Sequence, residues 1–237
     1  MRKDSWLEIE KLWAEFNELG INKAVDYDKY YLYSLITHST AIEGSTLTEV
    51  ETQLLFDEGI TANGKPLVYH LMNEDLKQAY EYVIEEAKQH KPVTPLFLQR
   101  LSGIGGRSYM NYQKVPVKVD ELCVLLQEKQ KQAFTLREQY ELSFNAHLNL
   151  ATIHPWVDGN GRMARLLMNY IQFVYQIFPT KLFKEDRGDY ILALRKSQDE
   201  ETNLPFLDFM TDQLRKSISL EIDKYKASKC KAFSFMF

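Results

Sequence analysis

The sequence predicts a mainly α-helical protein with one small β-hairpin, and three observations lead there. Apolar residues recur at three- and four-residue spacing along most of the chain, helix-start and helix-stop residues bracket those runs, and only one stretch alternates residue by residue. At 237 residues, with 45% hydrophobic and 13% aromatic side chains, the chain has material for a sizeable core rather than the composition of a disordered one.

Ser5-x-x-Glu8 reads as a capping box, followed by Trp6, Ile9, Trp13, Phe16 and Leu19 on one helical face until Gly20. A second helix is expected from Asp26 to about Ile42, on Tyr27, Tyr30, Tyr31, Leu35 and Ile36, closing on Ser39-Thr40-Ala41-Ile42-Glu43-Gly44. Glu43 is odd there, because a carboxylate in the last turn opposes the negative end of the helix dipole at a cost of about 0.3–1 kcal/mol when exposed. It is either solvated or paired with a cation. Thr48-x-x-Glu51 is another capping box and opens a short helix to Gly59, and a long helix runs from about Val68 to Gln89, broken by Pro92. Pro95 sits at the first turn of a further short helix, where its missing N–H costs nothing.

Between Ser102 and Val119 the character changes. Gly103, Gly105 and Gly106 loosen the backbone, and Val115, Val117 and Val119 alternate with Pro116 and Lys118, the one strand-like patch. Pattern alone fits a hairpin with an edge strand at Pro116 or a plain surface connection equally well. Helical patterns resume over Asp120–Phe134, Arg137–Ile153, Gly161–Phe178, Asp189–Gln198 and Leu204–Tyr225, and the apolar residues from Leu142 to Ile153 wrap more than one face, so that helix should lie deep.

Composition excludes several classes. The net charge of -4, with acids and bases mixed, gives no electrostatic basis for a general grip on nucleic acid. No run approaches the ~18 apolar residues of a membrane span, and no signal-peptide pattern opens the chain. Cys123 and Cys230 stand alone, without metal-site or disulfide spacing, so a soluble cytoplasmic protein is the expectation.

The chemistry gathers in twelve residues, His154-Pro155-Trp156-Val157-Asp158-Gly159-Asn160-Gly161-Arg162-Met163-Ala164-Arg165. Pro155 and Gly159 force a loop, and a helix starting near Gly161 would aim the N–H groups of Gly159, Asn160 and Gly161 at an anion. Arg162 and Arg165 share a face of the first turn and can hold two phosphates. Asp158 would repel a bare phosphate unless Mg²⁺ lies between them, and His154, with an ordinary pKa near 6.5, can serve as a base. Taken singly, these are a cap, a turn and surface charges. In this order and spacing they suggest attack of a hydroxyl on a nucleoside triphosphate.

The stretch closely resembles the motif of the Fic (Fido) family, His-x-Phe-x-(Asp/Glu)-Gly-Asn-Gly-Arg-x-x-Arg, with Trp156 in place of the usual Phe. A weaker similarity extends from about residue 70 to 215. The resemblance implies a Fic-type helical core with a β-hairpin flap at about 103–119, and division into an N-terminal helical region (1–65), the core (66–220) and a tail (221–237). It implies transfer of AMP from ATP to a hydroxyl of a target protein, or of the protein itself, with release of pyrophosphate and with Mg²⁺ as cofactor. By the same resemblance His154 is the general base, Asp158 holds the metal, Gly159, Asn160 and Gly161 form the anion hole, and Arg162 and Arg165 hold phosphates. The flap would present the target, and Tyr190 would line the nucleotide pocket, although Ser197 stands where some relatives have Asn.

Ser39-x-x-x-Glu43-Gly44 matches the family's inhibitory motif, (Ser/Thr)-x-x-x-Glu-(Gly/Asn), in the class whose inhibitory helix precedes the catalytic motif in the same chain. There the Glu pairs with the second motif arginine, here Arg165. Two other readings remain open at this point: a Fic enzyme that removes AMP or transfers another phosphate-containing group, and a nucleotide-binding module without turnover. The Phe-rich end, with Phe233, Phe235 and Phe237, fits packing on the body, packing on a second copy of the chain, or a frayed end.

Overall fold

The computed structural model describes residues 3–103 and 117–234. Ten helices follow one another among them: α1 (Lys3–Glu18), α2 (Tyr27–Ile42), α3 (Glu49–Glu58), α4 (Leu67–Lys88), α5 (Pro95–Gly103), α6 (Val117–Gln130), α7 (Leu136–Ile153), α8 (Asn160–Val174), α9 (Arg187–Asp199) and α10 (Leu204–Ser234). Short 3-10 turns at Ile21–Lys23 and Lys184–Asp186 lead into α2 and α9.

The centre is the pair α7 and α8. Tyr140, Phe144, Ala146, Leu148 and Leu150 of α7 are buried, as the apolar run predicts, and α8 is deeper still, buried continuously from Met163 to Gln172. Burying side chains of this kind is worth about 1.5–3 kcal/mol each, so α8 is fixed by the core on all sides. The polar groups it takes inside are satisfied locally: Gln172 bonds Ser143 and Thr180, and Asn169 accepts from Tyr80 and donates to the Thr180 carbonyl. Helix α4 covers one side of α8, α1 and α10 pack together on the outside, and α2 crosses α8 near its start.

Several expectations shift. The Thr48 capping box is formed, its hydroxyl accepting from the Glu51 N–H while the Glu51 carboxylate accepts from the Thr48 N–H. Ser5 caps nothing, because α1 already begins at Lys3. A reciprocal box at Thr135 and Glu138 opens α7 and escaped the sequence reading. Most of the expected hairpin falls at residues 104–116, outside the described residues. Its flanks are helical: Gly103 closes α5 and Val117 opens α6, where Val119, Leu122, Cys123 and Leu126 form a buried stripe. Val119 therefore follows a helical period and not the alternation read from its neighbours. Helix α10 also continues beyond Tyr225, through the first part of the expected tail.

Candidate active site

The motif loop joins the two deepest helices, so its geometry is set from both ends. His154 terminates α7 in a left-handed conformation (φ 50°, ψ 55°), its N–H bonding the Leu150 carbonyl, and the imidazole is left exposed. A non-glycine residue in that region carries about 1–3 kcal/mol of strain, which tends to be retained where a side chain must be aimed. Pro155 and Trp156 are buried behind it, so Trp156 faces the core. Gly159, at φ 84°, makes the N-cap of α8.

Asn160 does not simply offer its backbone. Its buried side chain bridges the loop, accepting from the Trp156 N–H (3.0 Å) and donating to the Trp156 carbonyl (2.6 Å). The Gly159 N–H is engaged by the Asp158 carboxylate at 2.7 Å, and the other oxygen of Asp158 lies 3.4 Å from the Arg162 guanidinium. The first N–H groups of α8, at Asn160 and Gly161, have no acceptor within the helix by its geometry, and the positive end of the dipole lies there.

Beside this turn opens a cleft of about 310 Å³. Glu43, His154, Asn160, Gly161, Arg187 and Tyr190 line it, with Ile191, Leu194 and Gln198 as a less polar wall from α9. Tyr190 is buried and its hydroxyl is 3.2 Å from Nε2 of His147. His147 lies flat against Phe206 (ring centroids 4.9 Å apart), and burial, with the nearby Arg165 charge, pushes its pKa down to about 3. It is a neutral ring. Ser197 faces the core, accepting from the Phe206 N–H, and is not part of the cleft wall. A larger cavity of about 550 Å³, lined by Trp13, Phe16, Tyr27, Tyr31 and Phe178, contains none of the motif residues.

Arg165 is not open to a ligand in this state. It is 2% exposed, and α2 encloses its guanidinium: Nε donates to the Ser39 hydroxyl (2.8 Å), and one terminal nitrogen donates to the Ser39 carbonyl (3.0 Å) and the Glu43 carboxylate (2.7 Å). The other terminal nitrogen has no hydrogen-bond partner among the described residues although it is buried, and neither has Nε of Arg162. Burial works against the Arg165 charge, but Tyr190, Glu43 and Tyr80 outweigh it and hold the pKa above the ordinary value. The pairing of residues 43 and 165 is thus present, with Ser39 as its second half. Gly161 makes room for it: a Cβ there would stand 2.5 Å from a Glu43 oxygen and 3.1 Å from the free Arg165 nitrogen.

Of the sequence-predicted residues, the structure brings Glu43, His154, Asn160, Gly161 and Tyr190 to one cleft, with Ser39 and Arg165 directly behind Glu43 and Asp158, Gly159 and Arg162 on the adjoining turn. Arg162 and Arg165 do share the first turns of α8, but in this state they are differently engaged, one by Asp158 and the other by α2. Arg187 was missed. Nothing in its local sequence marks it, since its partner is a backbone carbonyl far away in the chain.

The helical pair thus presents a His, a Gly-Asn-Gly turn and two arginines at one place, and the comparisons with known proteins bear on that arrangement. Residues 70–172 match the Fic/DOC family. A protein adenylyltransferase Fic of Drosophila willistoni is 28% identical over 209 residues, covering 78% of this chain, and that of Drosophila persimilis is 27% identical. This chain spans about two fifths (40%) of the length of those relatives. Among solved structures, a Fic-domain signalling protein from Bacteroides thetaiotaomicron superposes with a TM-score of 0.79 at 22% identity, covering 93% of this chain and 98% of that one. A fragment of Fic-1 from C. elegans gives 0.78 at 22% identity, over 93% of this chain and 71% of its own. These matches support a Fic/DOC domain over residues 70–172 of the chain.

No helix among the described residues is long and apolar enough to cross a membrane.

Proposed function

We propose that the protein is an autoinhibited protein adenylyltransferase, moving AMP from ATP to a hydroxyl side chain of a target protein or of itself. The observation that carries this reading is the Glu43–Arg165 pair at 2.7 Å, set against Gly161 at the start of α8. An anion already occupies the place where a helix N-terminus and a guanidinium would receive a phosphate. The two unpartnered, buried guanidinium nitrogens of Arg162 and Arg165 are the donors that a polyphosphate would satisfy.

Once Glu43 withdraws, Arg165 and Arg162 hold the phosphate chain, and Tyr190, Ile191 and Leu194 wall the cleft beside it. A ring nitrogen of His154 takes the proton of the target hydroxyl as its oxygen bonds to the α-phosphorus. The bond from that phosphorus to the bridging oxygen breaks, and pyrophosphate leaves with the electron pair. Among the described residues no group of three His, Cys, Asp or Glu side chains could hold a metal ion alone. Asp158, one exposed carboxylate beside the anion-binding turn, suits a Mg²⁺ ion that is ligated mainly by phosphate oxygens and water. When bound, that ion neutralises phosphate charge.

Glu43→Gly tests the reading. Labelling from α-³²P-ATP should rise about a hundredfold, equivalent to about 2.8 kcal/mol, and the rise should vanish when Arg165 is also replaced; equal labelling of parent and variant would sink the inhibitory role. A second reading, removal of AMP from a modified protein, draws on the position of Glu43 in the same cleft as His154, with its side chain 33% exposed, where it could orient a water. The same variant separates them, because removal would be lost on Glu43→Gly. A module without turnover would label under neither condition.

A further inference from the structure

The last turn of α2 carries the carboxylate that closes the cleft, so whatever fixes that turn sets how often it opens. Its carbonyl groups can be followed one by one. The Thr40 carbonyl accepts from the Glu43 and Ser45 N–H groups, and that of Ala41 from the Gly44 N–H. The Ser39 carbonyl takes the Arg165 guanidinium, and the Ile42 carbonyl takes Nε of Arg187 at 2.8 Å. Two guanidinium groups from different helices thus sit at the negative end of α2, where cations are favoured and where Glu43 is otherwise misplaced.

We propose that Arg187 is a positioning residue for Glu43, a second clasp that holds the final turn of α2 over the cleft; this rests on the autoinhibition reading above. Arg187 is the first residue of α9 and lines the cleft itself. Its backbone is braced from below. In the 3-10 turn just before it, the Lys184 N–H donates to Nδ1 of His38 on α2 (3.1 Å), while Asp186 accepts from Gln213 (2.8 Å) and Lys216 (2.6 Å) of α10. The strap from Lys184 to Arg187 therefore ties the end of α2 to a helix firmly packed in the core. Unlike Arg165, Arg187 is exposed, so its bond to Ile42 can be exchanged for water or for an incoming anion without opening the core. The clasp on the closed state is a backbone carbonyl, which no change of side chain on α2 can remove.

Arg187→Ala in the full chain tests this without requiring turnover. Amide hydrogen exchange at Glu43, Gly44 and Ser45 should quicken by about five- to tenfold, with amides of α7 and α8 unchanged. Labelling from ATP should rise several-fold when Glu43 is present and should gain nothing when Glu43→Gly is combined with it. Arg187→Lys, which keeps a cation at the helix end, should restore part of the restraint in both measurements. Unchanged exchange at those three amides, or an equal gain of labelling in the Glu43→Gly background, overturns the proposal. If Glu43→Gly itself labels no better than the parent, the autoinhibition reading fails, and the exchange measurement still decides whether Arg187 holds the turn.

Discussion

Helices α8 and α2 touch at one guanidinium but are held in opposite ways. Helix α8 is buried without a break from Met163 to Gln172, mostly on apolar side chains, with Asn169 and Gln172 bonded to partners inside the core. Helix α2 is buried over its second half as well, but there Leu35, Ile36 and Ile42 are interleaved with the buried polar residues Ser34, Thr37, His38, Ser39 and Thr40. Ser34 bridges the Glu49 carboxylate and the buried Lys181 ammonium, His38 lies 3.4 Å from Glu49, and Ser39 holds Arg165. Apolar contacts have no alternative partner in water or ligand, whereas each polar one does. On the proposed reading, the contrast fits a motif helix built to stay and a covering helix that can be exchanged.

That contrast can be attacked from both sides. The largest effect should come from His154→Ala, since a general base contributes about 10²–10⁴-fold; labelling should collapse while the thermal midpoint stays put, because the imidazole is exposed. Loss of fold in this variant would show that the loop is structural first. Next, Leu167→Ala, at a fully buried position of α8, should cost about 2–5 kcal/mol in urea unfolding, a loss that no polar substitution on the last turn of α2 should match. Ser39→Ala removes one of the three acceptors around Arg165, and labelling should rise about three- to tenfold, the worth of a single hydrogen bond. A fall in labelling there would mean that Ser39 orients Arg165 for ATP and not for Glu43.

The smallest effect concerns acid. The unfolded chain takes up a proton at His147 near its ordinary 6.5, but the folded chain refuses it until about 3, because the ring is buried beside Arg165. Its folded pKa is depressed, so protons favour the unfolded state throughout that window and stability falls as pH drops from 6.5 towards 3. Between pH 7 and pH 5.5 the parent should lose about 1 kcal/mol more than His147→Gln. Parallel urea midpoints for the two proteins would show that the ring is not held neutral.

Legibility in the sequence followed contiguity. The motif from His154 to Arg165 could be read because a loop between two helices presents neighbouring residues together, and the fold class could be read because amphipathic periods persist along the chain. The Glu43–Arg165 pair spans 122 residues and was reachable only through resemblance to a family, with the misplaced carboxylate as the one local hint. Val117 and Val119 misled because two valines spaced by one residue look like a strand edge, whereas Val117 is exposed and Val119 alone joins the buried stripe of Leu122, Cys123 and Leu126 downstream of Pro116. The side-chain bridge of Asn160 and the carbonyl clasp of Arg187 were invisible for a shared reason: each bonds to backbone, which every residue possesses, so no residue type announces the partner.

Gly161 carries a consequence for how such a protein can change over generations. The hydrogen on its α-carbon leaves the gap that a Glu43 oxygen now occupies, beside the same nitrogen of Arg165 that would meet a phosphate. A methyl group at this position would crowd Glu43 and, on the proposed function, an incoming phosphate at once, so the two cannot be tuned apart from here. Variation that loosens the brake while sparing the chemistry must arise on α2 or on the strap before α9, where the restraint is made of separate, replaceable bonds.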